Sequence, residues 1–155
     1  MQKTLFIVII VVAFGLVGWY LFGAHVAEAP TGETPIPSFE GVTYDNATSD
    51  MITIDLPFPQ AIVSHQFTAR GKARGTWYFE ASFPVHVFDK DGNELVSGPA
   101  QAEGDWMTEE FVPFKIDLIV PQTYKGDATI VFMKDNPSGL PDKEANISFP
   151  ITISD

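Results

Sequence analysis

The feature that most constrains this chain is an uncharged, apolar run of nineteen residues near its N-terminus, residues 5–23. As a helix, the run would be about 28 Å long at a rise of 1.5 Å per residue. That length is close to the thickness of a bilayer's hydrocarbon core, roughly 30 Å. A helix that is apolar on every side does not suit the surface of a soluble domain. The run therefore predicts one transmembrane helix within residues 1–24.

The charges on either side of this run predict its orientation. Lys3 precedes it, whereas Glu28 and Glu33 follow it. Because basic residues stay on the cytoplasmic side, the N-terminus is expected in the cytoplasm and the rest of the chain outside it, at the cell membrane. A cleaved signal peptide is the alternative. Its apolar region would be shorter, and Pro30 directly follows the small-residue pattern at 27–29.

Residues 25–50 are expected to form a linker. They contain Pro30, Pro35 and Pro37 and show no apolar periodicity, which is typical of an extended spacer. The last part of this linker includes Phe39, Val42 and Tyr44, whose side chains are expected to be able to dock onto the domain that follows.

The composition beyond the apolar run excludes several classes of function. All 20 acidic residues and 8 of the 9 basic residues follow residue 23, so this part carries a net charge of −12. Nucleic-acid phosphates would repel it, and we expect no nucleic-acid partner. The chain has no cysteine, which removes disulfides, thiolate metal sites and thiol nucleophiles. No cofactor is predicted.

From residue 51 onward, apolar and polar residues alternate with a period of two. This alternation marks strands with one buried face, at residues 51–56, 67–74, 114–120, 128–133 and 147–153. Asp91 and Gly92 separate two further apolar runs, 83–89 and 94–102, and predict a hairpin. Residues 77–81 are expected to belong to the incoming strand of that hairpin. About seven strands favour an all-β, immunoglobulin-like sandwich over residues 51–155, with a small closed barrel as the alternative.

Four segments, in this order and spacing, resemble one protein family. They are Gly-Thr-Trp-Tyr-Phe-Glu-Ala at 75–81, Gly-Asp-Trp-Met at 104–107, Phe-Val-Pro-Phe at 111–114 and Asp-Asn-Pro-Ser-Gly-Leu-Pro at 135–141. Together they are similar to the immunoglobulin-like domain of bacterial spore germination, over residues 51–153. The resemblance implies a bacterial protein of the cell envelope with an immunoglobulin-like fold. It implies no catalytic residue. His65 stands where many members have proline.

The hairpin sequence at 89–94, Asp-Lys-Asp-Gly-Asn-Glu, faintly resembles a calcium-binding loop. An EF-hand loop requires glycine at its sixth position and a bidentate glutamate at its twelfth, but the glycine here is fourth. We therefore predict a hairpin turn and no metal site. The histidines have no ligand spacing and no triad pattern, and His86 is expected to lie on a partly exposed strand face.

Two groups of residues are candidates for binding. The first is a rim of polar and aromatic residues, in which Glu80 lies in an aromatic run and Asp135 follows a predicted strand: Glu80, Trp106, Asp135, Asn136 and Ser138. The second is a basic stripe, Arg70, Lys72 and Arg74, which the period of two places on one strand face. The alternatives are structural: carboxylates and amides that bond to loop backbone, a tryptophan packed on the core, and a solvated strand face.

These observations favour a non-enzymatic binding module, anchored in the membrane and held outside the cytoplasm, with a protein or a cell-wall glycan as its partner. One alternative is a structural spacer or subunit of an envelope complex. Another is a hydrolase of cell-wall polymer, in which Glu80 acts with Asp135 or Asp105, because glycosidases use two carboxylates about 5–10 Å apart.

Overall fold

The computed structural model describes residues 41–155, which form nine β-strands. The strands are β1 (Thr43–Asp45), β2 (Ile52–Leu56), β3 (Ile62–Val63), β4 (Gln66–Arg74), β5 (Ser82–Asp89), β6 (Glu94–Ala102), β7 (Phe111–Ile119), β8 (Gly126–Met133) and β9 (Asn146–Ile153). The helical segments in this part are two 3-10 turns, Gly75–Trp77 and Pro141–Lys143.

The strands form one continuous sheet in the order β1-β9-β8-β5-β6-β7-β4-β2, with β3 paired to β9. Every pairing is antiparallel except that of β3 with β9. Strand β6 pairs with β5 along most of its length but meets β7 only at Gln101 and Ala102. The sheet therefore bends at this junction, so that β2, β4 and β7 form one layer and β6, β5, β8 and β9 form the other.

Aromatic side chains join the two layers across the core. Phe114 of β7 lies with its ring centroid 4.9 Å from that of Phe83 on β5 and 5.9 Å from that of Phe132 on β8. Phe132 in turn stacks on Phe149 of β9 at 5.9 Å. All four side chains are buried, and burial of apolar surface is the main force that holds the layers together. The described core is contained within the compact unit Pro37–Asp155.

Two short strands cover the outer edge of β9. Strand β1 pairs with residues 146–148, and β3 pairs with Thr152 and Ile153. Between them lies Pro150, which has no N–H, and its carbonyl accepts the backbone N–H of Gln60 at 2.7 Å. A covered edge cannot pair with another chain. Because β1 lies within the predicted linker 25–50, the folded domain begins before the boundary expected at Met51.

The structure confirms the all-β, immunoglobulin-like class, the hairpin and the strands expected from alternation. Two strands, β1 and β3, are additional. The prediction for residues 77–81 is wrong, because Trp77 ends a 3-10 turn and a tight turn then precedes β5.

The predicted transmembrane helix, residues 1–24, lies outside the described residues, as does most of the linker. Between residues 41 and 155, the structure has no helix that is both long enough and apolar enough to cross a bilayer.

Candidate functional site

Three loops meet at one end of the domain, which we call the rim end. They comprise residues 75–81 before β5, 103–110 between β6 and β7, and 134–145 between β8 and β9. Gly75 lets the first two loops approach closely, because a Cβ at this position would lie 1.9 Å from the carbonyl oxygen of Thr108. The backbone N–H of Asp135 donates to the carbonyl of Trp77 at 3.0 Å and ties the third loop to the first.

A tight two-residue turn carries Glu80. Phe79 and Ser82 exchange both backbone hydrogen bonds, at 3.0 and 3.1 Å, so that Glu80 and Ala81 form the connection. Both have positive φ, +49° and +64°. Such turns favour glycine, which has no Cβ, and asparagine, whose short side chain bonds locally, because other residues cost about 1 kcal/mol or more in this region. Glu80 therefore occupies a strained backbone conformation that asparagine or glycine would adopt at lower cost.

Glu80 lies close enough to Asp135, which follows Lys134 in the third loop, for the two charges to interact. Partial burial raises the pKa of Asp135, and the negative charge of Glu80 raises it further. Within residues 41–155, neither side-chain carboxylate accepts a hydrogen bond or forms an ion pair. The structure therefore brings two of the predicted rim residues together as an unpaired carboxylate pair.

An open groove of about 340 Å³ begins at Asp135 and runs over the outer face of β5 and β6. Its floor and walls alternate between hydroxyls and proline rings, and they include Ser82, Pro84, His86, Ser97 and Pro99. Short polar groups beside flat apolar rings suit the contacts made by an extended peptide or a sugar chain. Of the two carboxylates, Asp135 is the one that lines this groove.

Asn136 and Ser138 hold the third loop in shape. The amide of Asn136 donates to the carbonyl of Leu140 at 2.9 Å, and the hydroxyl of Ser138 donates to the amide oxygen of Asn136 at 2.6 Å. Gly139 adopts φ +64° and closes the turn with a backbone bond to Asn136 at 3.0 Å. These two rim residues thus bond within their own loop and position Asp135.

Trp106 lies in the second loop, half-buried against the core, and its carbonyl accepts the backbone N–H of Thr108 at 2.8 Å. The neighbouring Met107 is 77% exposed. Beneath these loops, the hydroxyl of Tyr78 donates to the carbonyl of Val112 at 2.7 Å, and burial raises the pKa of Tyr78. Trp106 therefore contributes mainly to the packing of the rim end, and less of it is available for contact with a partner.

The comparisons with known proteins bear on the same residues. A family model, the immunoglobulin-like domain of bacterial spore germination, matches residues 51–140. The chain belongs to this family. The match includes all five rim residues and ends before β9, which the structure shows to complete the sheet of the domain. The family is not a known class of enzyme. A comparison with curated proteins gave no match.

The three residues of the basic stripe differ in their contacts. Arg74 is engaged: its Nε donates to the carbonyl of Asp50 at 2.9 Å, and its guanidinium lies 4.1 Å from the ring centroid of Phe111. Arg70 and Lys72 are exposed and have no side-chain partner within the described residues. Lys115 of β7 lies directly across from Arg70. The exposed cations on this face are therefore Arg70, Lys72 and Lys115.

The hairpin turn after β5 uses its oxygens for structure. The carboxylate of Asp89 accepts the backbone N–H groups of Asp91 and Asn93, both at 2.8 Å. The side-chain amide of Asn93 also donates to Asp89 at 2.9 Å, and this bond, together with the backbone bonds, holds the pKa of Asp89 below its usual range. No group of three or more potential metal-binding side chains occurs in residues 41–155.

Sequence reasoning missed one polar network. The carboxylate of Glu94 accepts hydrogen bonds from Nδ1 of His86 at 2.7 Å and from the hydroxyl of Ser97 at 2.7 Å. Glu94 and Ser97 belong to β6, whereas His86 lies on β5 directly opposite Ser97. The available signal was the hairpin itself, since a turn centred on Asp91 and Gly92 makes residues on the two strands cross-strand neighbours. The network fixes one wall of the groove.

Proposed function

We propose that this protein is an extracytoplasmic binding module of the bacterial cell envelope, anchored by residues 5–23 and acting in a germination-related assembly. The observation that carries the proposal is the two unpaired carboxylates, Glu80 in a strained turn and Asp135 lining the groove. Strain in a folded protein persists where the surrounding structure maintains it, and it concentrates at functional positions. The partner class is a protein or a cell-wall glycan with hydroxyl or cationic groups facing the two carboxylates.

The anchor is supported by the length of the apolar run and by Lys3 before it. A reporter fused after Asp155 is expected to be active only outside the cytoplasm, and the fusion is expected to sediment with membranes. Reporter activity in the cytoplasm, or a soluble processed domain, would contradict this part of the proposal.

The rim is tested by site-specific crosslinking in native membranes, with sedimentation onto purified cell wall as a second assay. A photoreactive residue at Ser138 is expected to capture the partner, whereas the same residue at Lys90, in the hairpin at the opposite end, is not. The double variant Glu80→Gln with Asp135→Asn is expected to lower capture about tenfold or more, the usual cost of removing charged bonds of about 1.5–3 kcal/mol. Equal capture from both positions, or full capture by the double variant, would refute the rim.

A hydrolase is the second candidate, because a carboxyl with a raised pKa beside another carboxylate is the arrangement that glycosidases use. Release of reducing ends from purified cell wall, abolished by Glu80→Gln, would support it. Binding to cell wall without release of reducing ends would favour the binding module over the hydrolase. Capture that depends on neither carboxylate would favour a structural spacer or subunit.

A further inference from the structure

The outer face of the layer β2, β4 and β7 has a charge opposite to that of the rest of the domain. Residues 41–155 contain 17 acidic and 8 basic residues, a net charge of −9. Arg70 and Lys115 nevertheless lie directly opposite each other on β4 and β7, and Lys72 lies two residues further along β4. We name Arg70, Lys72 and Lys115 the basic face.

This arrangement costs stability in the isolated domain. Like charges directly across two strands repel each other, whereas opposite charges there would attract. Asp117 offsets part of the repulsion, with a carboxylate oxygen 3.4 Å from Lys115 Nζ, and its other oxygen accepts the hydroxyl of Thr68 at 2.5 Å. Asp55 is exposed at the bulge of β2, but no ion pair links it to these cations. Arg70 and Lys72 are therefore left without an ionic partner within the described chain, and Lys115 has Asp117 alone.

Exposed apolar side chains stand among these cations. Leu56 of β2 pairs with Arg70 and is 37% exposed, and Ile119 of β7 is 64% exposed. By the alternation of β7, Ile119 projects from the same face as Lys115 and Asp117. Cations interspersed with exposed aliphatic side chains are typical of surfaces that lie against a membrane interface. A soluble polyanion would gain little from the aliphatic groups.

We infer that the basic face docks onto the surface of a bilayer containing anionic lipids. The inference rests on the proposed anchor, because the seventeen residues between Gly23 and Gly41 span at most about 60 Å and keep the domain near the bilayer. Tethering raises the effective concentration to roughly the millimolar range, so a weak contact is sufficient. Because charges more than about 8 Å apart are largely screened, docking depends on the charges close to the basic face, where Glu103 and Asp117 line a groove together with Lys115.

The test separates this inference from the anchor by supplying an artificial tether. Residues 37–155, which contain the described core, carry an N-terminal histidine tag and bind vesicles through a nickel-chelating lipid. The vesicles contain phosphatidylcholine alone or mixed with phosphatidylglycerol. Because the chain lacks cysteine, a single dye label enters through Gln66→Cys on the basic side or through Thr129→Cys on the opposite layer.

The dye at Gln66→Cys is expected to be quenched by a lipid-borne quencher on vesicles with phosphatidylglycerol, and the dye at Thr129→Cys is not. Each cation contributes about a fivefold preference at an anionic surface, so the triple variant Arg70→Gln, Lys72→Gln, Lys115→Gln should lower the docked population about a hundredfold. The control triple Lys90→Gln, Lys125→Gln, Lys143→Gln changes the net charge equally and should leave it unchanged. Circular dichroism establishes that both triples are folded.

Three results would overturn the inference. The first is equal quenching at the two dye positions, and the second is equal quenching with and without phosphatidylglycerol. The third is equal behaviour of the two triple variants. If the wild-type fragment binds soluble polyphosphate and shows no quenching on vesicles, the partner of the basic face is an anionic polymer and not a membrane. None of these results depends on residues 5–23 or on the rim.

Discussion

Strand β5 has a tight turn at each end, and both turns contain residues with positive φ. In the hairpin after β5, the residue with positive φ is Gly92, and the carboxylate of Asp89 accepts the amides of the turn. In the turn before β5, the residues with positive φ are Glu80 and Ala81, and the carboxylate of Glu80 has no partner within the described chain. The first turn has the residues its geometry favours, and the second does not.

The difference indicates which turn is structural and which carries function. Where a turn only connects two strands, its residues match its geometry and its polar groups bond within it. Where strain and unpaired charge remain, the structure keeps them at a cost, and functional positions are where such costs are found. The same contrast separates Asp89 from Asp135, whose pKa values are shifted in opposite directions.

The largest expected effect concerns the rim end as a unit. Gly75→Ala places a Cβ 1.9 Å from the carbonyl oxygen of Thr108 and 2.3 Å from that of Trp106, so backbone has to move. We expect a loss of about 3 kcal/mol in the free energy of unfolding, the upper range for overpacking. The matched change Gly92→Ala has open space around the new Cβ, and its cost should be only the roughly 1 kcal/mol of its positive φ. Urea unfolding of both variants measures the difference, and equal losses would contradict it.

The next effect has the opposite sign. Replacing Glu80 by Asn and Ala81 by Gly gives the rim turn the residues that its positive φ angles favour. We expect the free energy of unfolding to rise by about 1 kcal/mol. A residue with a Cβ costs about 1–2 kcal/mol in the αL region, but glycine loses more conformational entropy on folding, which offsets part of the gain. Capture of the partner by Ser138 crosslinking should fall in the same variant. Higher stability with unchanged capture would show that the strain at Glu80 serves no binding.

A smaller loss is expected from the third loop. Asn136→Ala removes the bond to the carbonyl of Leu140 and the acceptor for Ser138. Because Asn136 is half-buried and Leu140 is 52% exposed, water replaces much of what is lost, and we expect about 0.5–1 kcal/mol. Ser138→Ala should cost less, since Ser138 is exposed. Thermal unfolding compares the two, and a loss above about 2 kcal/mol for Asn136→Ala would mean that the loop is more deeply buried in solution.

How much of this was predictable follows from the range of the interactions. Alternation along the chain reports which face is buried, so long strands such as β7 and β9 were predictable within a few residues. Strands β1 and β3 have two or three residues and exist because β9 offers an edge, which no local pattern reveals. Asp135, Asn136 and Ser138 were found because they follow a strand, whereas Glu80 was found as a carboxylate within an aromatic run. The proximity of Glu80 and Asp135 depends on loops that are far apart in sequence. For the same reason the sequence did not reveal that Lys115, on another strand, lies across from Arg70, and it predicted Arg74 as the third residue of the basic face instead.

The smallest expected effect is a pair of pH dependences with opposite signs. The folded-state pKa of Asp135 is raised, so its stabilising contribution is present below the ordinary aspartate pKa, about 3.9, and is lost as pH rises through the folded value. Asp135→Asn should therefore be slightly more stable than the wild type at neutral pH, and the gain should vanish in acid.

The folded-state pKa of Asp89 is lowered, so its stabilising contribution is present above about pH 4 and is lost as pH falls through the folded value. Asp89→Asn should be less stable at neutral pH, with a deficit that shrinks in acid. Thermal midpoints of the two variants and the wild type, measured across this pH range, provide the comparison. Shifts of the same sign for both variants would mean that Asp135 is as well satisfied as Asp89, and the contrast between the two turns would then fail.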